Sequence, residues 1–230
     1  MKLDQNIKVA VDAIVFGYSG NKLSVLLIKQ KFGVMKQQWA LVGGFVKDDE
    51  SLSAAVKREL QEEAGIEVNF LEQLYTFGDN IRRDPRFRVI SVAYFALVNP
   101  AQFQVKADTD AEDAQWFPID ELPDLAYDHR EIVETAIQRL KNKVTYQPIG
   151  FGLLPDEFLF SELENLYCTI LNREIDRRNF RKKILSFGFV EETDRFASKK
   201  SGRPAKLFRF NALKYNELIA NGIHFEINFA

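Results

Sequence analysis

A dense cluster of glutamates constrains this chain more than any other feature of its sequence. Three of them lie near the end of a segment of helical composition, Ser53–Ala64, which begins after a capping Ser51 and which Gly65 is expected to terminate. In a helix these three side chains fall at positions i, i+3 and i+4 and therefore share one face. The helix dipole disfavours negative charge at the C-terminal end, so the cluster is destabilising unless a positive group lies against it. The three residues are Glu59, Glu62 and Glu63.

A divalent cation is the natural positive group for such a cluster, because hard oxygen ligands suit Mg²⁺ or Mn²⁺. Glu50, on the preceding loop, can complete the acidic cluster, and Arg58 can pair with Glu62 one helical turn later. The alternative is a solvated, charged helix face, which is what most charge runs in proteins are. The spacing of the whole segment separates the two interpretations.

That spacing matches the Nudix box, Gly-x5-Glu-x7-Arg-Glu-aliphatic-x-Glu-Glu-x-Gly-aliphatic, at every fixed position from Gly44 to Ile66. The chain thus resembles the Nudix family, and the resemblance implies a mixed sheet sandwiched between helices, in an α/β (α+β) domain. It also implies a catalytic site in which metal ions neutralise phosphate and activate water against a pyrophosphate linkage. By position, the metal ligands would be Glu59, Glu62 and Glu63, supported by Arg58 and Glu50.

Two further segments are candidates for ligand binding. The pair Gly43-Gly44 is expected to shape the loop at the start of the box. The chain reads Leu-Val-Gly-Gly here, so Val42 stands where many Nudix hydrolases have the proline of a Leu-Pro-Gly-Gly sequence. Residues 82–88 place four arginines on a turn, where planar guanidinium groups suit phosphate and Phe87 or Tyr94 can stack on a base. An ordinary surface loop is the alternative for any single arginine. The predicted ligand-binding residues are Arg83, Arg86, Arg88, Gly43 and Gly44.

The rest of the first 147 residues mixes strand-like and helical segments, which is typical of an α/β or α+β domain. A hairpin is predicted over Lys8–Phe16 and Lys22–Lys29. At the start of the second predicted helix, His129 follows Asp128, and we expect a capping or packing role for it. The other predicted elements are strands at Trp39–Val46, Leu71–Phe77, Val89–Val98 and Ala114–Phe117, and that helix at His129–Lys143.

A segment rich in proline and glycine, Lys143–Pro155, is the candidate linker between two domains. We therefore predict a Nudix domain over residues 1–147 and a second domain over residues 148–230. The second domain contains a local excess of positive charge, with twelve basic and five acidic residues between Arg173 and Arg209. A concentrated basic segment in a chain of net charge −2 indicates a local surface for anions.

The order of elements in the basic segment favours DNA as the anion. Two short helices, Phe160–Leu171 and Asp176–Phe187, are joined by a tight connection and predict a helix-turn-helix. A strand, a polar loop and a second strand follow at Phe189–Thr193, Asp194–Pro204 and Ala205–Phe210, giving a basic wing that can reach phosphates or the minor groove. A small α/β appendage with a solvated basic face is the alternative. The predicted DNA-binding residues are Arg177, Arg178, Arg181, Lys182, Lys199, Lys200, Arg203 and Lys206.

This C-terminal region resembles the winged helix of Nudix-related transcriptional regulators, through residues 178–183 and 201–208. The resemblance implies a regulator that binds double-stranded DNA as a homodimer, with two recognition helices reading two half-sites. It also implies a small-molecule effector, an ADP-ribose-like nucleotide or a pentose, that shifts the affinity for DNA. The alternative function is a Mg²⁺-dependent pyrophosphohydrolase acting on ADP-ribose or a related nucleoside diphosphate derivative.

Composition limits where such a protein works. The single cysteine, Cys168, excludes an intramolecular disulfide and any multi-cysteine zinc site. Residues 1–8 carry no apolar signal core, and no apolar run approaches the length that spans a membrane. We therefore expect a cytoplasmic protein without a membrane partner.

Overall fold

The computed structural model describes residues 6–103, 111–197, 204–227 and 229–230. The chain divides into two compact units. The first unit comprises Met1–Ser19 and Leu23–Gln138, and the second comprises Gly20–Lys22 and Arg139–Ala230. The domain boundary expected between residues 147 and 148 stays a prediction.

A seven-stranded mixed sheet forms the centre of the first unit. Its main path runs β3-β2-β1-β6-β5, while β4 pairs with β1 and β7 pairs with β2. The long strands β1 and β6 are parallel, and β4, β5, β3 and β7 each run antiparallel to their partners. The strands are β1 (Ile7–Ser19), β2 (Lys22–Gln30), β3 (Trp39–Ala40), β4 (Val42–Phe45), β5 (Leu71–Phe77), β6 (Arg88–Val98) and β7 (Ala111–Pro118).

Two helices accompany this sheet, α1 (Leu52–Ala64) and α2 (His129–Tyr146). Helix α1 begins where the Ser51 hydroxyl accepts the N–H of Ala54, and it ends at Gly65, whose φ of 66° is left-handed. Its buried face packs on alternate residues of β1, since successive strand side chains point to opposite faces. The contacting residues include Val11, Ala13 and Val15 from β1 and Ala55, Val56 and Leu60 from α1. This packing fixes the position of the glutamate-bearing helix over the sheet.

The second unit is a winged helix-turn-helix. Helix α3 (Phe160–Leu171) ends at Asn172, whose φ of 50° turns the chain, and α4 (Arg177–Ser186) begins where the Asp176 carboxylate accepts the N–H of Asn179. An antiparallel sheet of order β8-β10-β9 and a last helix complete the unit. These elements are β8 (Glu157–Leu159), β9 (Val190–Ala197), β10 (Ala205–Phe210) and α5 (Ala212–Ala220).

The predicted elements and the observed ones differ at a few places. The predicted strand Trp39–Val46 is interrupted at Leu41, whose N–H donates to a side chain instead of to a neighbouring strand. Helix α2 continues to Tyr146, three residues beyond its predicted end, and a short 3₁₀ turn follows at Phe151–Leu153. Strand β8 and helix α5 were not predicted. Among the described residues, no helix is long and apolar enough to cross a membrane.

Candidate functional site

A cavity of about 90 Å³ opens in the first unit beside strands β1 and β4 and the start of α2. Four predicted ligand-binding residues line it, namely Gly43, Gly44, Arg83 and Arg86. The fifth does not, because the Arg88 guanidinium donates through Nη2 to the Gly78 carbonyl oxygen at 2.7 Å. The cavity also has walls that the sequence did not single out, among them Asp12 and Tyr127.

The glycine pair is required by the close approach of two carboxylates. A Cβ on Gly43 would collide with the Val11 carbonyl oxygen and lie 2.9 Å from Asp12 Oδ1. A Cβ on Gly44 would collide with the Glu59 carboxylate. The Gly43 N–H donates to Glu63 Oε2 at 3.0 Å, so the loop is tied directly to α1. Glycine at both positions therefore allows the loop to approach the two carboxylates this closely.

The glutamates of the box are organised by Arg58. Its guanidinium donates to Glu50 at 2.6 and 2.9 Å, to Glu59 at 2.7 Å and to Glu62 at 3.1 Å. The hydrogen bonds from Arg58 lower the pKa of Glu50 to about 2, whereas burial raises the pKa of Glu59 above its usual value. Arg58 is thus the positive group that the acidic helix end requires.

A divalent cation fits this site by its chemistry, because carboxylate oxygens are the ligands that Mg²⁺ and Mn²⁺ prefer. Glu59 and Glu63 are both buried and both directed at the glycine loop, through the close contact to Gly44 and the hydrogen bond from Gly43. Within the described residues, no three His, Cys, Asp or Glu side chains are grouped closely enough to hold a metal. The three predicted metal ligands thus have the carboxylate chemistry that these cations prefer, but their side chains are held by Arg58 and by the Gly43 N–H and are not gathered around one point.

Arg83 is buried and fully engaged with carboxylates. It forms a two-pronged pair with Asp128, at 2.8 Å from Nε and 2.6 Å from Nη2, and its Nη2 also lies 3.3 Å from Asp12 Oδ2. Only 5% of its side chain is exposed. The Ser91 hydroxyl donates to the same Asp12 oxygen. This network makes the Arg83 side chain part of the rigid wall of the cavity.

Arg86 lies at the more exposed end of the cavity, with 37% of its side chain accessible. It pairs with Asp84 through Nε at 3.0 Å and Nη2 at 2.7 Å. Burial would raise the pKa of Asp84, but the hydrogen bonds from Arg86 outweigh it and hold that pKa below its ordinary value. Three aromatic rings surround the guanidinium, each with its centroid within 6 Å, and they belong to Phe45, Phe87 and Tyr127. The expected stacking partner Phe87 thus lies beside Arg86 but is not one of the residues that line the cavity, whereas Tyr94 packs in the core.

His129 begins α2 and is buried in the cavity wall. Its Nδ1 accepts the N–H of Leu41 at 2.9 Å, which ties α2 to the loop before the glycine pair. Its Nε2 lies 3.5 Å from Asp12 Oδ1. Burial lowers the pKa of His129, with the nearby Asp12 opposing the shift, so the ring is neutral at pH 7. Asp12 could have been noticed in the sequence, because it is a charged residue within the otherwise apolar strand Val9–Phe16.

In the second unit, α4 presents cations along one face. Arg178, Arg181 and Lys182 are exposed and fall at positions i, i+3 and i+4. The Arg181 guanidinium lies over two aromatic rings, 4.5 Å from the centroid of Phe160 and 5.3 Å from that of Phe208. We name these three residues the basic face of α4.

The other predicted DNA-binding residues are placed differently. Arg177 donates to Asn165 at 2.8 Å and lies near Glu174 and Glu164, so it pairs within the unit. Lys206 of the wing pairs with Glu192 at 2.6 Å. Lys199, Lys200 and Arg203 lie outside the described residues.

Two family models match this chain. The NUDIX domain matches residues 6–136, and the NrtR DNA-binding winged helix domain matches residues 150–210. The two matches confirm the resemblances predicted from the glutamate spacing and from the basic C-terminal segment, together with the fold class.

Similar proteins combine the same two domains or share the first. The ADPR responsive transcriptional repressor NtrR of Acinetobacter baylyi is 37% identical over 213 residues, which cover 90% of this chain and 84% of the relative. The ADP-ribose pyrophosphatase of Methanocaldococcus jannaschii is 40% identical over 136 residues, or 58% of this chain and 75% of the relative. The crystal structure of Shewanella oneidensis NrtR complexed with a 27mer DNA has a TM-score of 0.82 and 29% identity, covering 96% of this chain and 99% of that one.

Proposed function

The chain belongs to the NrtR family of Nudix-related transcriptional regulators, and we propose that it binds operator DNA through the basic face of α4 and responds to ADP-ribose in its Nudix domain. The basic face carries the proposal, because three exposed cations lie on one side of α4 and two of them, Arg178 and Lys182, form no side-chain hydrogen bond or ion pair among the described residues. The cavity supports the second part. It combines arginines suited to a diphosphate with aromatic rings at its mouth.

The experiment couples the two sites. A duplex selected by the full chain from a random library is titrated with the protein, with and without ADP-ribose, by fluorescence anisotropy. We expect ADP-ribose to change the affinity for the duplex by roughly 5- to 150-fold, the usual range of coupling between two sites. Unchanged affinity in saturating ADP-ribose would remove the regulatory part of the proposal.

Assembly and domain limits complete this proposal. A homodimer would present two α4 helices to two half-sites of the duplex, about one helical turn apart. Sedimentation of the free protein and of its complex measures the number of chains on each duplex. The Nudix domain would comprise residues 1–147 and the winged helix residues 148–230, which limited proteolysis tests.

Hydrolysis of ADP-ribose is a second candidate function, favoured by the intact box and by the similarity to an ADP-ribose pyrophosphatase. Bound Mg²⁺ or Mn²⁺ would supply the activation of water, and Glu59, Glu62 and Glu63 would hold the ions. Arg58 would position the glutamates through the ion pairs already described, with Glu50 on its other side.

This second function is separable by mutation. If the chain turns over ADP-ribose with Mg²⁺, Glu62→Gln and Glu63→Gln should each abolish turnover while leaving DNA binding intact. Phosphate-coupled turnover and anisotropy measure the two properties on the same samples. Turnover that survives both substitutions would show that the box is not the active site.

A further inference from the structure

One buried polar pair in the cavity wall consists of Asp12 and His129. The two side chains are 8% and 6% exposed, and the distance from Asp12 Oδ1 to His129 Nε2 is 3.5 Å. That separation is longer than a good hydrogen bond between nitrogen and oxygen. Both residues line the cavity.

The surrounding contacts define which of the two atoms donates. His129 Nδ1 accepts the Leu41 N–H, so in the neutral ring the proton is on Nε2. Asp12 Oδ2 already accepts from Ser91 and Arg83, whereas Oδ1 accepts no hydrogen bond from the described residues. The absence of a side chain at Gly43 keeps Oδ1 clear on the loop side. The cavity wall thus offers one free donor beside one free acceptor.

We propose that a hydroxyl group of the ligand's terminal sugar bridges this pair, accepting a hydrogen bond from the N–H at His129 Nε2 and donating a hydrogen bond to Asp12 Oδ1. This assignment rests on the proposed function and adds to it the part of the ligand that enters first. A hydroxyl is matched to the pair because it both donates and accepts. A phosphate would be repelled by the negative charge of the Asp12 carboxylate, and a cation could not accept a hydrogen bond from the His129 N–H.

The positions of the arginines indicate how the ligand is oriented in the cavity. Arg83, beside the pair, is buried and committed to two carboxylates. Arg86 is the more exposed and lies among aromatic rings at the mouth, where it can exchange Asp84 for a diphosphate. Only the end of a ligand can reach a pair this deeply buried, and the terminal ribose of ADP-ribose is joined to the remainder at one point. The sugar therefore lies innermost and the diphosphate outermost.

The test compares ADP-ribose with ADP, which lacks the terminal sugar, by isothermal titration calorimetry on the full chain. Wild type should bind ADP-ribose at least tenfold more tightly than ADP. Asp12→Asn should lower the affinity for ADP-ribose by roughly 10- to 100-fold, which is the effect of losing a hydrogen bond to a charged group. The same substitution should lower the affinity for ADP by less than about threefold. Glu131→Gln, which removes an exposed carboxylate from the first turn of α2, is the matched control and should change neither affinity.

A second variant covers the case in which Asp12→Asn does not fold. His129→Asn retains an acceptor near the Leu41 N–H and removes the Nε2 donor, and it should lose the same discrimination between ADP-ribose and ADP. Equal weakening of the two ligands in the folded variants, or equal binding by wild type, would overturn the proposal.

If wild type binds neither nucleotide, the proposed ADP-ribose response fails, and ribose and arabinose decide the hydroxyl assignment. Sugar binding that both variants lose would keep the assignment. No sugar binding by wild type would end it.

Discussion

The two units of this protein use their positive charges in opposite ways. In the first unit the arginines beside the cavity are paired with carboxylates, several of them buried. In the second unit the cations of α4 are exposed, and among the described residues none of the three pairs with a carboxylate. The paired group is Arg58, Arg83 and Arg86, and the exposed group is Arg178, Arg181 and Lys182.

This difference follows from what each unit binds in our proposal. Buried charge is tolerated only when it is paired and hydrogen-bonded, so a cavity that recognises a small ligand needs arginines held in one geometry. DNA presents a row of phosphates at the surface, and exposed cations bind it mainly by releasing its counterions. Pairing therefore indicates a preorganised site, and exposure indicates a surface for a polyanion. The predictions below test that contrast, beginning with the largest effect.

Removing Arg83 should destabilise the first unit far more than removing Arg86. Arg83→Ala leaves Asp12 and Asp128 buried without their cation, at a cost of about 3–5 kcal/mol in the free energy of unfolding. Arg86→Ala removes a guanidinium that is 37% exposed, but its partner Asp84 is only 8% exposed and keeps just the backbone N–H of residue 86, so the cost should be intermediate, about 1–2 kcal/mol. Urea unfolding followed by tryptophan fluorescence isolates this unit, because both tryptophans, Trp39 and Trp116, lie in it. Similar small losses in the two variants would mean that the buried network does not stabilise the unit.

Removing cations from the basic face of α4 should weaken DNA binding without changing stability. Arg178→Gln with Lys182→Gln removes two exposed charges that form no side-chain hydrogen bond or ion pair in the described parts of the chain. We expect affinity for the selected duplex to fall roughly 10- to 100-fold in 0.1 M salt, and the slope of log K against log salt to become shallower by about 2. Arg181 is left in place because it also stacks on Phe160 and Phe208.

The control for the α4 variant removes the same charge from the first unit. Lys8→Gln with Lys57→Gln takes two exposed lysines from the sheet and from α1, and affinity for the duplex should stay within about twofold of wild type. If the two double variants behaved alike, net charge alone would explain binding, and α4 would not be the recognition helix.

Local sequence patterns predicted helices α1 to α4, because the ends of these helices depend on neighbouring residues, but they missed α5. Ser51 and Gly65 delimit α1, and Asp176 caps α4, as the residue types alone indicate. Strand β8 was missed because it has three residues and exists through pairing with β10, which lies about 50 residues later. Short strands of this kind carry too little local signal to be predicted from their own sequence.

The candidate site was predictable only in part, for a similar reason. The glutamate spacing identified α1, and the arginine turn identified Arg83 and Arg86 at the cavity. The carboxylates that hold Arg83 come from β1 and from the segment before α2, and a single sequence does not show which distant residues pair, whereas Arg86 pairs with the nearby Asp84. For this reason the sequence could not distinguish the buried Arg83 from the exposed Arg86, or from Arg88, which lies apart.

The smallest expected effect is a dependence of the free energy of unfolding on pH, to which only one of the two histidines should contribute. The two histidines lie in different units. His129 is buried, and its pKa lies below the ordinary value of 6.5, so protonation favours the unfolded state, in which the ring is solvated. The stabilisation is therefore complete above about pH 6.5 and is lost as the pH falls below it, at no more than about 1.4 kcal/mol per pH unit. Urea unfolding followed by tryptophan fluorescence between pH 7 and pH 5 measures this slope, in a range where ordinary carboxylates do not titrate.

Two variants assign that slope to one residue. His129→Asn should flatten the dependence of unfolding on pH between pH 7 and pH 5, because no buried imidazole remains to be protonated. His224→Asn changes an exposed side chain of the second unit and should leave the wild-type slope in place. A slope that persists in His129→Asn would mean that another group of the first unit takes up the proton. In that case the arginines would still distinguish the preorganised cavity from the open DNA surface, but the histidines would not.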